Sequence, residues 1–258
     1  MPSVRIAELP WTTYHERVKN GEAVVFLPVG SLEQHGPHLP MNCDVIIPSV
    51  IAERTAEKVN GLVLPAVAYG YKSQPRSGGG NHFPGTTSVD GMTLVHVIRD
   101  IIRDLARHGV RKLVVLVGHY ENTAFVIEGI DIALRELRWE GIGDFKVVRV
   151  DYWEYTRPST FDQVWGDKFP GWATEHAGVM ETSIMLAVAP GLVDMSKVPL
   201  HPPAEFPPYD LYPYRPEKGW VPSSGALCSA KIATADKGEL FLSDYVAGVR
   251  QSILNEFA

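Results

Sequence analysis

The sequence predicts an α/β fold, a mostly parallel sheet with helices on both faces, in a single domain. Four apolar runs rich in β-branched residues recur along the chain, and stretches of helical period lie between and after them. Runs that are apolar throughout suit strands buried on both faces, and their alternation with helices is the pattern of a parallel sheet. A length of 258 residues with 45% hydrophobic content is enough for one such domain with a substantial core.

The expected strands are Ala23–Val29, Leu62–Val67, Leu113–Val117 and Phe145–Val150. Helical patterns cover Asp44–Lys58, Met92–His108 and Asn122–Trp139, a later one covers about Gly178–Ala189 and stops at Pro190, and a last one covers Gly238–Phe257. Asp44 and Asp90 stand where N-caps belong, while Gly61 and Gly109 follow helix ends. The segment His201–Ser224 is rich in Pro and Tyr. It is read as an ordered arm over its own domain or a neighbour's, because its prolines forbid regular helix. No internal repeat or linker divides residues 1–258.

The formal net charge is −6 and no run of Lys or Arg occurs, which argues against nucleic acid as a partner and for a small molecule. Two distant cysteines, Cys43 and Cys228, indicate no disulfide framework and point to the cytoplasm. The first residues lack a secretion signal, and no apolar stretch is long enough to span a bilayer, so no membrane association is expected.

Ligands of open parallel sheets bind beyond the carboxyl ends of the strands. Gly30-Ser31-Leu32-Glu33-Gln34-His35 follows the first run, and Gly118-His119-Tyr120-Glu121 follows the third. Glu-x-His and its mirror image, His-x-Glu, can each turn an imidazole and a carboxylate to one side of extended backbone. Imidazoles with carboxylates suit Zn²⁺ or Mn²⁺ better than Ca²⁺. Asp44 makes a fifth ligand, more than one zinc usually takes from protein, and a bridging Asp between two metals is a familiar solution in hydrolases. Either pair alone is also ordinary strand-end chemistry, and Asp44 also reads as a plain cap.

The run Ser77-Gly78-Gly79-Gly80-Asn81-His82 lacks the Lys and Ser/Thr of a phosphate loop, and suits a loop that folds over a small ligand, or a plain turn. His82 is favoured as structural. His176 opens a helical pattern, where an imidazole can shuttle protons or simply bond its own backbone. Trp153 and Trp172 are core residues or flat walls for a planar ligand.

Taken together, the segments from Leu27 (Leu-Pro-Val-Gly-Ser-Leu-Glu-Gln-His-Gly), Tyr69, Ser77, Gly118 (Gly-His-Tyr-Glu-Asn), Glu175 (Glu-His-Ala-Gly-Val-Met-Glu-Thr-Ser) and His201 resemble the creatininase (creatinine amidohydrolase) family nearly end to end. The Gly-rich loop, the tryptophans and the Pro-rich arm are most similar to its creatinine-hydrolysing members. That resemblance implies an α/β/α fold, a homohexamer, and hydrolysis of creatinine to creatine, reversibly, by a hydroxide bridging two divalent metals. It places Glu33, Asp44 and His119 on one ion (Mn²⁺ or Zn²⁺) and His35, Asp44 and Glu121 on the other (usually Zn²⁺). It makes His176 and Glu121 catalytic, and puts Ser77, Tyr120, Trp153, Trp172 and His176 around the substrate. One departure stands out: where those members read Trp-Asp-x-Glu-His, this chain reads Trp172-Ala173-Thr174-Glu175-His176. Loss of that acid is expected to weaken creatinine turnover or shift preference toward another small cyclic amide or formamide. A reading from another class, a non-catalytic small-molecule binding protein, predicts no bound metal.

Overall fold

The computed structural model describes residues 3–257. Its sheet has four parallel strands, β1 (Val24–Val29), β2 (Gly61–Val63), β3 (Lys112–Val117) and β4 (Lys146–Asp151), in the order β2-β1-β3-β4. The helices are α1 (Trp11–Val18), α2 (Cys43–Ala56), a single turn α3 (Pro75–Gly78), α4 (Gly91–Arg107), α5 (Thr123–Trp139), α6 (Pro158–Val164), α7 (Val179–Val188) and α8 (Ala235–Glu256).

Alternation along the strands sorts the helices into two layers. Val24 and Phe26 of β1 and Val114 and Leu116 of β3 pack with α2, α7 and α8. Val25, Leu27 and Val29, with Leu113, Val115 and Val117, pack with α4 and α5. Each such buried aliphatic or aromatic side chain contributes about 1.5–3 kcal/mol, so the two central strands form a rigid platform with α/β/α layering. No helix among the described residues is long and apolar enough to cross a membrane.

The second expected strand, Leu62–Val67, is regular only to Val63. Pro65 has no N–H for the ladder, and the chain keeps to β1 through Leu64 N–H to the carbonyl of Phe26 and Val67 N–H to that of Pro28. Asp44 is not a cap. It lies inside the first turn of α2, after Asn42, with its side chain buried. Asp90 precedes α4 but makes no capping bond, pairing instead with Lys72. The last helix begins earlier than its pattern, at Ala235, where Thr234 accepts the N–H of Lys237. Helices α1 and α6 were not expected from the periodicity. The arm from His201 to Ser224 has a single 3-10 turn at Pro216–Lys218 and lies on its own domain. Ala204 N–H donates to the carbonyl of Leu227, and the Tyr212 hydroxyl donates to Gln74 Oε1.

One local feature positions the site. β1 and β3 pair in register to their last residues, Val29 and Val117, so Gly30 and Gly118 leave the sheet side by side. A Cβ on either glycine would stand 2.3 Å from the carbonyl oxygen of Asp44. The absence of both side chains lets the start of α2 rest directly on the strand ends. Pro48, four residues on, has no N–H to offer that carbonyl.

Candidate metal centre and active site

Four segments converge at this edge: the loop after β1 brings Glu33 and His35, the loop after β3 brings His119 and Glu121, α2 brings Asp44, and the first turn of α7 brings Glu181. His119 Nε2 lies 3.1 Å from the carbonyl of Tyr71. A carbonyl only accepts, so Nε2 carries a proton, and Nδ1 is the nitrogen left for a metal or a competing second proton. Nδ1 faces Glu33 Oε2 at 3.0 Å and Asp44 Oδ2 at 3.1 Å. His35 repeats the arrangement with its nitrogens exchanged. Nδ1 donates to the carbonyl of Glu33 at 3.1 Å, and Nε2 faces Asp44 Oδ1 at 3.1 Å and Glu181 Oε1 at 3.7 Å.

Two groups of three therefore share Asp44: Glu33, Asp44 and His119, and His35, Asp44 and Glu181, each with ligand atoms within 4.8 Å of one another. Glu33 Oε1, His35 Nε2 and Asp44 Oδ2 are buried and find no hydrogen-bond partner. Lone pairs that converge on one point, each imidazole oriented by a carbonyl behind it, fit divalent cations. Protons compete for the same places. Burial opposes charge on both imidazoles, but Asp44, Cys43 and Glu181 around His35, and Glu121 and Glu33 around His119, outweigh it and hold both well above ordinary histidine. Burial also opposes charge on Asp44, and the two imidazoles overrule it, keeping its carboxyl below the usual range. Burial pushes Glu33 up to about 7, against the pull of His119.

Above this floor opens a cavity of about 550 Å³. Trp153, Trp172, Tyr120 and Ser77 line it with His176, and Tyr212 and Asp210 of the arm reach its rim. Trp172 is 37% exposed and leans edge-on against Phe161, Trp165 and Phe169. Tyr120 is 64% exposed at the mouth. His176 is buried, its ring 4.4 Å from that of His35. Burial, followed by the charge of His35, keeps it well below ordinary histidine, hence neutral. Beside it Glu175 is raised by burial to about 8, although it accepts the N–H of Met180 at 2.5 Å. Its carboxyl thereby ties the loop carrying His176 to the start of α7.

The sequence profile of the creatininase family, described as creatinine amidohydrolase, matches residues 7–253. Creatinine amidohydrolase of Pseudomonas putida is 54% identical over 256 residues, which cover 99% of this chain and 98% of the relative. The chain belongs to the creatininase family. A solved creatininase superimposes with a TM-score of 0.97 at 54% identity, covering 100% of this chain and 99% of the other. Solved creatininases of similar likeness include a Zn–Zn form of a mutant, an Mn form, and a mutant complexed with creatine. A more distant relative, the mycofactocin precursor peptide peptidase of Mycolicibacterium smegmatis, is 30% identical over 238 residues, 89% of this chain and 84% of the relative. The family also accounts for the expectation of a cyclic amidohydrolase.

Within this creatininase-family chain Glu33, His35, Asp44 and His119 stand in these two groups, and Glu121 stands beside His119. Glu121 is expected on the second ion with His35 and Asp44; the structure also brings Glu181 close to that pair. Glu121 sits on the other side of His119, with Oε2 3.4 Å from Nε2. Its Oε1 accepts the Gln74 N–H at 2.9 Å and the Ser77 hydroxyl at 2.5 Å, turning the carboxylate toward the cavity. The signal for Glu181 was available in the sequence: it is the one acid in the otherwise apolar and small-polar run Val179–Val188. A buried carboxylate in such a helix needs a partner of opposite charge. The Gly-rich loop is also explained. A Cβ on Gly78 would stand 2.0 Å from Glu33 Oε1, so the glycine lets the loop close over the Glu33 carboxylate. His82 stays out of the cavity lining and packs on Phe83 and Tyr214, a structural place.

Proposed function

We propose that the chain hydrolyses a small cyclic amide, most closely creatinine to creatine, in a centre holding two divalent ions, Zn²⁺ with Mn²⁺ or two Zn²⁺. The observation that carries this reading is the pair of three-residue groups sharing Asp44 at the base of an aromatic-walled cavity. Glu33, Asp44 and His119 would hold one ion, and His35, Asp44 and Glu181 the other. Ions held there would supply Lewis acidity to an amide carbonyl and bring the pKa of a water near neutrality.

The remaining steps belong to side chains. Trp153 and Trp172 flank a flat ring and exclude bulk water, which strengthens every charge interaction inside. Tyr120 and Ser77 border the ring's polar edge. His176, neutral at rest, takes a proton and returns it to the departing ring nitrogen. Glu121, oriented by Gln74 and Ser77, is the second acid–base group. The two distant cysteines point to the cytoplasm and the family resemblance implies a homohexamer; sedimentation of the purified protein checks the assembly.

Ala173 lines the same cavity as His176, and its methyl group brings no charge there where an acidic side chain would. This favours a second substrate reading, another small cyclic amide or formamide. Purified, metal-loaded protein incubated with creatinine tests the first. Creatine should form and should stop forming on chelation. No creatine at high enzyme concentration removes creatinine as the substrate. Absence of bound metal together with indifference to chelators would favour the non-catalytic binding protein.

A further inference from the structure

Gln34, between the two ligands Glu33 and His35, has no part in the chemistry above, yet it is buried and makes the densest set of polar contacts near His176. Its side-chain nitrogen lies 3.0 Å from the carbonyl of Gly78, 3.1 Å from the carbonyl of Gly225 and 2.9 Å from His176 Nε2. Its Oε1 accepts the N–H of Gly36 at 2.9 Å. These contacts allow only one orientation of the amide: a flip would set its oxygen against two carbonyls and its nitrogen against an N–H. The amide has two protons, and the two carbonyls take both. None is left for His176 Nε2. That nitrogen also lies 2.8 Å from the main-chain carbonyl of Gln34, which only accepts.

We infer that Gln34 sets the working tautomer of His176, holding the proton on Nε2 through its main-chain carbonyl and leaving Nδ1 as the nitrogen that exchanges protons with the reactants. The side chain contributes by pinning that carbonyl between the Gly-rich loop at Gly78 and the end of the arm at Gly225. A Cβ on Gly225 would stand 1.9 Å from Gln34 Oε1, so the close approach depends on glycine there. Gln34 is thus a positioning residue that acts through His176.

The inference rests on the hydrolase reading only for its consequence. In that reaction the water oxygen bonds to the carbonyl carbon and the ring C–N bond breaks. One water proton passes to Nδ1 and from there to the departing nitrogen; the other leaves with the new carboxyl group. The imidazole ends as it began, with Nε2–H untouched throughout.

The test is ¹⁵N NMR of the histidine-labelled, zinc-loaded protein, with His176 assigned by comparison with His176→Ala. The expected spectrum has a protonated Nε2 and a bare Nδ1. A His176 protonated on Nδ1 alone overturns the inference, whether or not the protein hydrolyses creatinine, so this outcome is separable from failure of the proposed function. Gln34→Met, checked for zinc content, should show a mixed or broadened His176 tautomer signal. Its kcat should fall about 100-fold, the scale of one acid–base group, with KM changed less than about threefold on the view that ground-state binding is spared. Wild-type kcat and an unchanged tautomer signal in that variant would remove Gln34 from the role. If Gln34→Met does not fold, the wild-type spectrum still decides the tautomer.

Discussion

The floor and the rim of the cavity are built by different rules. On the floor, Glu33, His35, Asp44 and His119 are each 3% exposed or less, and each imidazole is held by a carbonyl behind it. At the rim, Tyr120, Trp172 and Tyr212 are 64%, 37% and 74% exposed, and the arm is tied to the α3 turn through single contacts such as Tyr212 to Gln74. The floor is set by backbone that cannot shift without moving the sheet. The rim is set by side chains that can be exchanged one at a time. A family built this way keeps one reaction class while its substrates vary.

The largest effect should come from Asp44→Asn, which touches both groups of ligands. We expect loss of both metal equivalents and a fall in kcat/KM of about 1,000-fold or more, corresponding to the several kcal/mol of transition-state stabilisation that bound ions supply. Elemental analysis and kinetics check it together. Next comes a paired comparison. Glu181→Gln should lose one metal equivalent, whereas Glu121→Gln should keep both and lose turnover by about 100-fold. Equal metal loss in the two variants would return Glu121 to the ligand set.

A third effect follows from protonation. His35 and His119 are held above ordinary histidine by the surrounding carboxylates, so in the metal-free protein they keep their protons to higher pH than free histidine does. Metal binding must displace those protons, and affinity should therefore weaken as pH falls. The sign is clear: raised imidazole pKa values move this competition to higher pH. Competition titration with a chromophoric chelator at several pH values measures the slope, and affinity independent of pH would show that the histidines are not ligands. The smallest effect is at the rim. Ala173→Asp should raise creatinine turnover by about tenfold at most, the scale of one charge-assisted hydrogen bond, without altering metal content. Lower turnover would refute the view that Ala173 is a handicap for creatinine.

What the sequence could reveal follows the same division. The strands and long helices were legible because two-sided burial leaves continuous apolar runs and 3.6-residue periods. Glu33, His35 and His119 were legible because they directly follow such runs. Asp44 was legible as a residue but not as a position. Its reading as a cap failed because Asn42 begins the helix and Pro48 and two glycines fit α2 against the strand ends. Glu181 is not legible in the sequence as a member of this group, because its partners are 137 and 146 positions away (181 − 44 and 181 − 35) and no local period reports such a meeting. Gln34 was invisible for a related reason. Its partners Gly78, Gly225 and His176 come from three separate loops, and an amide between two ligands reads as filler.

The origin of the ligands has a consequence beyond catalysis. The loop after β1, the loop after β3, α2 and α7 each contribute a candidate ligand, so two bound ions would fasten together segments distant along the chain. Both cysteines are free and buried. The ions would then act as reversible staples, in the place that disulfides take in secreted proteins. Resistance to heat would rise with metal concentration by mass action. A cell short of metal would hold this protein not merely idle but closer to unfolding, so its abundance would follow the metal supply.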